Sequence, residues 1–448
     1  MTDSNFQIIA VDNDSRELDK IRKAFDLLKT PCLPILYNEG DNIDEKYSNI
    51  RIAFFDINLG GLGNPADPLL CNIIASALKE ILDKNNGPYA LIFWSLHISK
   101  LPIIKKYIEE REKDDIPSPL VIDTINKALI NNVDELKAEI QRVLANSTLN
   151  AMLDYEKKAH DAASKTINSL FSLIPRGNDK WGENIIFENN FDLIFSKMAA
   201  NTMGIKLARK TPVIAIQRTL FPILQHNIKK ADLSSVWINK LSSLNQDAKL
   251  KFPSDFKTEA LNTIYHIDND KSHLKKDERG VVIKVKKTST LFKNIFGKKK
   301  NELIKEYFSF PSIKGKKEEE VESIRLQYIE KCIPVFVEIS ASCDYAQQNP
   351  RALKYLFGIK YPIDPTIAKP SSGEYKFFTP SFLLNDEKFA IILNFRYIYG
   401  FQITNAILDE IIFKLSDNLI NQIGNRYANY ASRIGIISHE CKLPKLAY

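Results

Sequence analysis

The chain has 448 residues, 44 % hydrophobic and 10 % aromatic, a composition that supplies substantial cores and excludes an intrinsically disordered protein. The length sets an expectation of two to four domains. A net charge of +7 is too small at this size to mark the whole molecule as a nucleic-acid binder, and only 16 glycines argue against glycine-rich phosphate loops.

The five cysteines are odd in number and scattered, with no C-x-x-C pair, which excludes a zinc ribbon or a thioredoxin-like site. MTDSNFQIIAVDND leads straight into a strand-like segment, without the basic and apolar regions of a signal peptide. The longest apolar stretches, such as residues 90–94, fall far short of the roughly 20 residues of a spanning helix. These features predict a cytoplasmic protein with reduced thiols and no membrane association.

Residues 6–11 form an apolar run, as expected of a strand buried on both faces of a parallel sheet. Asp14 and Ser15 then cap a helix that carries Leu18, Ile21, Phe25 and Leu28 at helical spacing. Further strands are predicted at 35–37, 52–55, 91–94 and 120–122, and helices at 68–82, 103–110 and 133–144. Five strands alternating with helices give an open, doubly wound α/β domain over residues 1–145.

Residues 146–262 read as an all-helical middle, with helices expected at 146–175, 191–203 and 219–228. Residues 263–448 read as an α+β domain. Strands are expected at 283–286 and 335–339, and a hairpin of 375–384 with 388–399 around Asn385, Asp386 and Glu387. Residues 405–432 carry Ile407, Leu408, Ile411, Ile412, Leu415, Leu419 and Ile423 and read as one long amphipathic helix.

In a doubly wound sheet, ligands gather at the carboxyl ends of the strands. The strand assignment puts Asp12, Asn13 and Asp14 there, with Asp56, Ser95 and the region of Lys127. Carboxylates from adjacent strand ends suit Mg²⁺, and Asp56 is a carboxylate nucleophile of the kind that forms an aspartyl phosphate. At these residues the sequence resembles the response-regulator receiver family: IIAVDND at the first strand, AFFDINLGGLG at the third, IFWSLH at the fourth and LVIDTINK near the fifth. The resemblance covers residues 6–145. It implies that Asp56 is the phospho-acceptor, Ser95 the switch hydroxyl and Lys127 the phosphate-binding lysine. It also implies Mg²⁺ held by Asp12 and Asp56, with Asp14 a further candidate because Asn13 stands where the family usually has a second acid.

Residues 271–317 hold eleven more Lys and Arg than Asp and Glu, interleaved with Phe292, Phe296, Tyr307 and Phe308. Such a stretch is a candidate for phosphate backbones and unpaired bases, although a solvated charged loop is the simpler reading. Farther on, VFVEISASCDYAQQN ends an apolar strand in a polar cluster with Cys343 and Asp344. No histidine adjoins Cys343, so a buried thiol beside a capping Asp344 is expected over a nucleophile. This strand-then-S-x-x-C-D segment is similar to segments in uncharacterised bacterial proteins, some linked to phage defence.

The expectation is a signalling protein that accepts a phosphoryl group on Asp56 from a histidine-kinase-like donor. It would relay the change through the helices to a C-terminal output module, with antiviral defence as one setting. The alternative is a phosphorylation-independent pseudo-receiver whose C-terminal domain binds protein or nucleic acid.

Overall fold

The computed structural model describes residues 7–38, 46–61, 66–230, 235–241, 252–272, 274–286, 289–312, 317–341 and 353–432. The chain divides into two units, Met1–Leu173 with Pro222–Leu250, and Ile174–Phe221 with Lys251–Tyr448. The helices between Ser147 and His266 are thus shared between the units.

The first unit is organised on five short parallel strands: β1 (Ile8–Asp12), β2 (Leu33–Leu36), β3 (Ile52–Phe55), β4 (Ala90–Ser95) and β5 (Val121–Asn126). They lie in the order β2-β1-β3-β4-β5. Every residue of β1, β3 and β4 is buried, so these strands carry apolar side chains at consecutive positions. Alternate residues serve opposite faces. Ile9, Val11 and Phe55 join the core under α2 (Asp67–Ile81) and α3 (Leu101–Arg111). Ala10, Phe54 and Trp94 join the core under α1 (Ser15–Leu27) and α4 (Val133–Val143). Among the described residues no helix lies between β2 and β3. Tyr47 there makes a single bridge to Leu82 beyond α2.

A 27-residue helix, α5 (Ser147–Leu173), follows and sinks Leu149 into the core of α1 and α4. Two side-chain bonds from α9 (Val236–Lys240) meet it: Trp237 Nε1 donates to Asp154 at 3.2 Å, and Lys240 Nζ to Thr148 at 2.6 Å. Between them in sequence stand α6 (Ile185–Met203), α7 (Ile205–Lys210) and α8 (Pro212–Lys229), which meet at Ala199, Met203, Leu207 and Ala215.

After α10 (Thr258–His266), the second unit is built on an antiparallel sheet with strands of very different length. Its strands are β6 (Ile267–Asp268), β7 (Val281–Val285), β9 (Ile333–Glu338), β10 (Leu353–Pro362), β12 (Lys376–Phe378), β13 (Phe382–Leu384), β14 (Glu387–Phe401) and β15 (Leu408–Leu415). A separate small pair joins β8 (Phe308–Ser309) to β11 (Lys369–Pro370). One face of the large sheet is covered by α11 (Ser289–Phe296), α12 (Lys300–Lys305) and α13 (Glu318–Lys331). The other face packs on α14 (Asp417–Ala431).

The hairpin around residues 385–387 forms as expected. Asn385 and Asp386 both have positive φ, 50° and 60°, the backbone that a two-residue primed turn between β13 and β14 demands. The single helix expected over 405–432 does not form. Residues 408–415 are β15, paired with β7, and Ser416 accepts from the Leu419 backbone N–H to start α14. The apolar spacing over 407–415 fits either period, and the Ile411-Ile412-Phe413 run favours the pleated one.

Candidate functional site

Asp12 closes β1 with no exposed surface, and Asp56 follows β3 at 6 % exposure. Their strands are neighbours, with Val11 opposite Phe55, and the Asp56 backbone N–H continues the ladder by donating to Val11 O at 2.9 Å. β5 lies three strands from β1 and ends at Asn126, whose side chain accepts from the Ala128 N–H and opens a tight 3₁₀ turn. That turn launches Lys127 over the end of the sheet. Its Nζ lies 2.7 Å from Asp12 Oδ2 and 3.2 Å from Asp56 Oδ2, so one ammonium joins both carboxylates. Ser95 is fully buried at the end of β4, in register with Asn126, and its hydroxyl oxygen accepts from the His97 N–H at 3.2 Å.

Burial holds the Asp12 carboxyl above the usual carboxylate range. The Lys127 charge and hydrogen bond pull against that shift, and the Asp56 charge adds to it. The other Asp12 oxygen, Oδ1, accepts from the Asp14 N–H at 2.9 Å. Asp14 itself is not brought into the cluster. Its carboxylate caps α1 by accepting from the Arg16 N–H at 2.9 Å and pairs with the Arg16 guanidinium at 2.7 Å, so Arg16 lowers it to about 2.

One participant, Asn58, was not singled out from the sequence. Asn13 Nδ2 donates to the Asn58 carbonyl oxygen at 3.2 Å, tying the loop after β3 to the loop after β1. Gly61, at φ 65°, lies so close that a Cβ would sit 3.1 Å from the same amide nitrogen, which explains a glycine in this turn. Among the described residues, Asp56 Oδ1 and Asn58 Oδ1 are buried oxygens with no hydrogen-bond partner. An orphaned acceptor costs on the order of 1–3 kcal/mol, so this pocket is better suited to a cation or a donor than to emptiness.

The strand order β2-β1-β3-β4-β5, with the carboxylates at the carboxyl ends of β1 and β3, is the flavodoxin-like arrangement used by receivers. The N-terminal domain has a receiver-like fold. No family model matches the chain, and no curated protein does. Among solved structures it is similar to full-length FixJ from B. japonicum, at 13 % identity and a TM-score of 0.20, over 51 % of this chain and 99 % of that one. A likeness that weak adds nothing to the strand order.

The remaining sequence candidates fall elsewhere. Phe292, Phe296, Tyr307 and Phe308 are all buried in the core of the second unit, so none is available to stack on a base. Several lysines of 271–317 are engaged at the surface, Lys298 by Glu306, Lys305 by Glu322 and Lys284 by Glu410. Cys343 and Asp344 lie outside the described residues. Among the described residues, no helix is long and apolar enough to cross a membrane.

Proposed function

We propose that the N-terminal domain accepts a phosphoryl group on Asp56 and that the protein is a receiver-type signalling component. The observation that carries this reading is the bridging of Asp12 and Asp56 by Lys127, with Asp56 Oδ1 left buried and unpartnered. A carboxylate oxygen held there forms the new P–O bond as the donor's P–N bond breaks, the freed imidazole nitrogen keeping the electron pair. Lys127 neutralises charge on the incoming phosphoryl oxygens. The Ser95 hydroxyl, one strand away, is the group whose rearrangement would report the modification.

Mg²⁺ fits this donor set. Two hard carboxylates from adjacent strand ends, one with an orphaned oxygen, and the orphaned Asn58 Oδ1 beside them supply what the ion prefers. Asp12 and Asp56 would hold it, and its chemistry would be charge neutralisation on the transferring group. Asn13 supplies an amide where an acid would add a charge, and it already occupies the Asn58 carbonyl, so binding is expected to be weak. The test is calorimetry with Mg²⁺ and beryllium fluoride. Heat that disappears in Asp56→Ala supports phospho-acceptance.

A second reading is favoured by the same lysine: with Lys127 already neutralising one of the two carboxylates, the domain is internally balanced enough to serve as a docking module without phosphorylation. Absence of any heat at millimolar Mg²⁺ and mimic selects it.

A further inference from the structure

Lys127 stands on a three-residue turn that gives its side chain no packing of its own. No residue of that turn is buried, and Leu129 within it is 72 % exposed. A lysine stem is long and freely rotating, so an ammonium launched from such a turn needs contacts that fix its direction. Two of them are the Asp12 and Asp56 carboxylates, at 2.7 and 3.2 Å. A third is the indole of Trp94, whose ring centre lies 5.9 Å from Lys127 Nζ. That is within reach of the attraction between a cation and an aromatic face, and Trp offers the strongest such face.

The ring is itself held. Trp94 stands on β4 directly before Ser95, 1 % exposed among the apolar side chains under α1 and α4. Its Nε1 donates to Glu17 Oε2 at 3.2 Å, and Glu17 Oε1 takes Lys20 Nζ at 2.6 Å. Leu or Phe would fill a core position without bringing an N–H that needs an acceptor, so Glu17 of α1 both permits the indole and orients it. The two kinds of contact to Lys127 answer differently to the chemistry proposed at Asp56. The carboxylates are the groups that would take the cation and the phosphoryl group, and each loosens its hold on Lys127 in doing so. The indole takes neither. Its pull on the ammonium persists, and with the Lys127 side chain only 12 % exposed little water screens it.

We infer that Trp94 is the positioning residue for Lys127: its ring, oriented from α1 by Glu17, keeps the ammonium over the strand ends while the carboxylates change partners. The inference rests on phospho-acceptance at Asp56, and its test separates the two. The contact is read first, without metal or phosphodonor, in a full chain that keeps Trp94 and carries Trp181→Phe and Trp237→Phe. An ammonium beside an indole quenches its emission by proton transfer in the excited state. Lys127→Met should therefore brighten Trp94 with no red shift of its maximum, and unchanged emission would overturn the contact. Positioning is read with acetyl phosphate and Mg²⁺. The new P–O bond at Asp56 forms as the donor's bridging P–O bond breaks and acetate leaves with the electron pair. Trp94→Leu should lower the maximal rate about tenfold and move the half-saturating donor concentration less than about twofold, since a displaced Lys127 is missed in transfer more than in capture. Trp94→Phe and Glu17→Ala should fall between that variant and wild type, and they carry the comparison if Trp94→Leu does not fold. In a Lys127→Met chain the same substitutions should change the rate little, because the lysine through which they act is gone. Wild-type rates in all three variants, or equal falls with and without Lys127, would overturn the inference. A wild-type chain that takes up no phosphoryl group would instead overturn the reading at Asp56, and the emission result would still decide whether the ring holds the lysine.

Discussion

Arg51 grips Glu156 with a forked contact, its Nε at 2.9 Å and Nη2 at 2.6 Å from the same carboxylate oxygen, and so fastens α5 to the residue that precedes β3. The Arg51 side chain is 11 % exposed and that of Glu156 32 %, so the pair is only partly screened. β3 is four residues long, with Arg51 before it and Asp56 after it. The strand carrying the proposed acceptor is therefore held at its other end by the helix that leads out of the domain.

Arg51→Ala should destabilise the first unit by about 2 kcal/mol, the range for a charge-assisted, partly buried hydrogen-bonded pair. Glu156→Gln should cost less, because an amide oxygen still accepts. A double-mutant cycle by denaturant melts checks the coupling, and hydrogen exchange in α5 should quicken selectively in either variant. Exchange unchanged in α5 would show that the pair does not hold the helix.

Lys127→Ala removes the cation that joins Asp12 and Asp56. Breaking a buried pair from one side costs about 3–5 kcal/mol, and the loss should depend on pH in a definite sense. Burial already raises the Asp12 carboxyl, and Lys127 supplies the two largest opposing effects. Without it the folded-state carboxyl rises further, so the folded state binds a proton that the unfolded state, near pKa 3.9, has lost. The destabilisation should accordingly be small near pH 4 and grow as pH rises toward 7. Urea midpoints across that range check it.

Much of this site was legible because strands buried on both faces must be apolar at consecutive positions, so the first polar residue after each run marks the end of the sheet. Asp12, Asp56 and Ser95 were found that way, and the turn after β5 brings Lys127 to the two carboxylates. Asn58 was not, since its role depends on a backbone carbonyl bonded to Asn13, which no side-chain pattern encodes. The second unit was harder to read. β10 alternates only weakly, with all but three of its ten residues buried, and so resembles neither a wet-faced strand nor an amphipathic helix. The stretch over 405–415 carried apolar residues that satisfy both periods at once, and only pairing with β7 decides between them.

Asp14 and Asp12 should separate cleanly under mutation. Asp14→Ala removes the cap of α1 and should cost about 1 kcal/mol. Because Arg16 lowers the Asp14 carboxyl to about 2, that contribution is present above pH 4 and lost as pH falls toward 2. Mg²⁺ binding, read by calorimetry, should persist in Asp14→Ala and vanish in Asp12→Ala. Loss of binding in both would place Asp14 in the metal site after all.

Asn13→Asp tests whether the amide is what limits the metal. The substitution adds a carboxylate beside Asp12 and Asp56 and frees the Asn58 carbonyl, which the amide now holds at 3.2 Å. A further negative charge in the first shell should tighten Mg²⁺ at least about tenfold, since two charges some ångströms apart in a partly buried site interact by a few kcal/mol. In metal-free buffer the same change sets three carboxylates around one lysine, so the melting temperature should fall by several degrees, as expected for about 1–2 kcal/mol. Saturating Mg²⁺ should then reverse the sign and make the variant the more stable protein. Melts with and without the ion therefore give opposite orders for wild type and Asn13→Asp. An identical order under both conditions would mean that the ion does not bind at these strand ends, and that Lys127 alone balances the site.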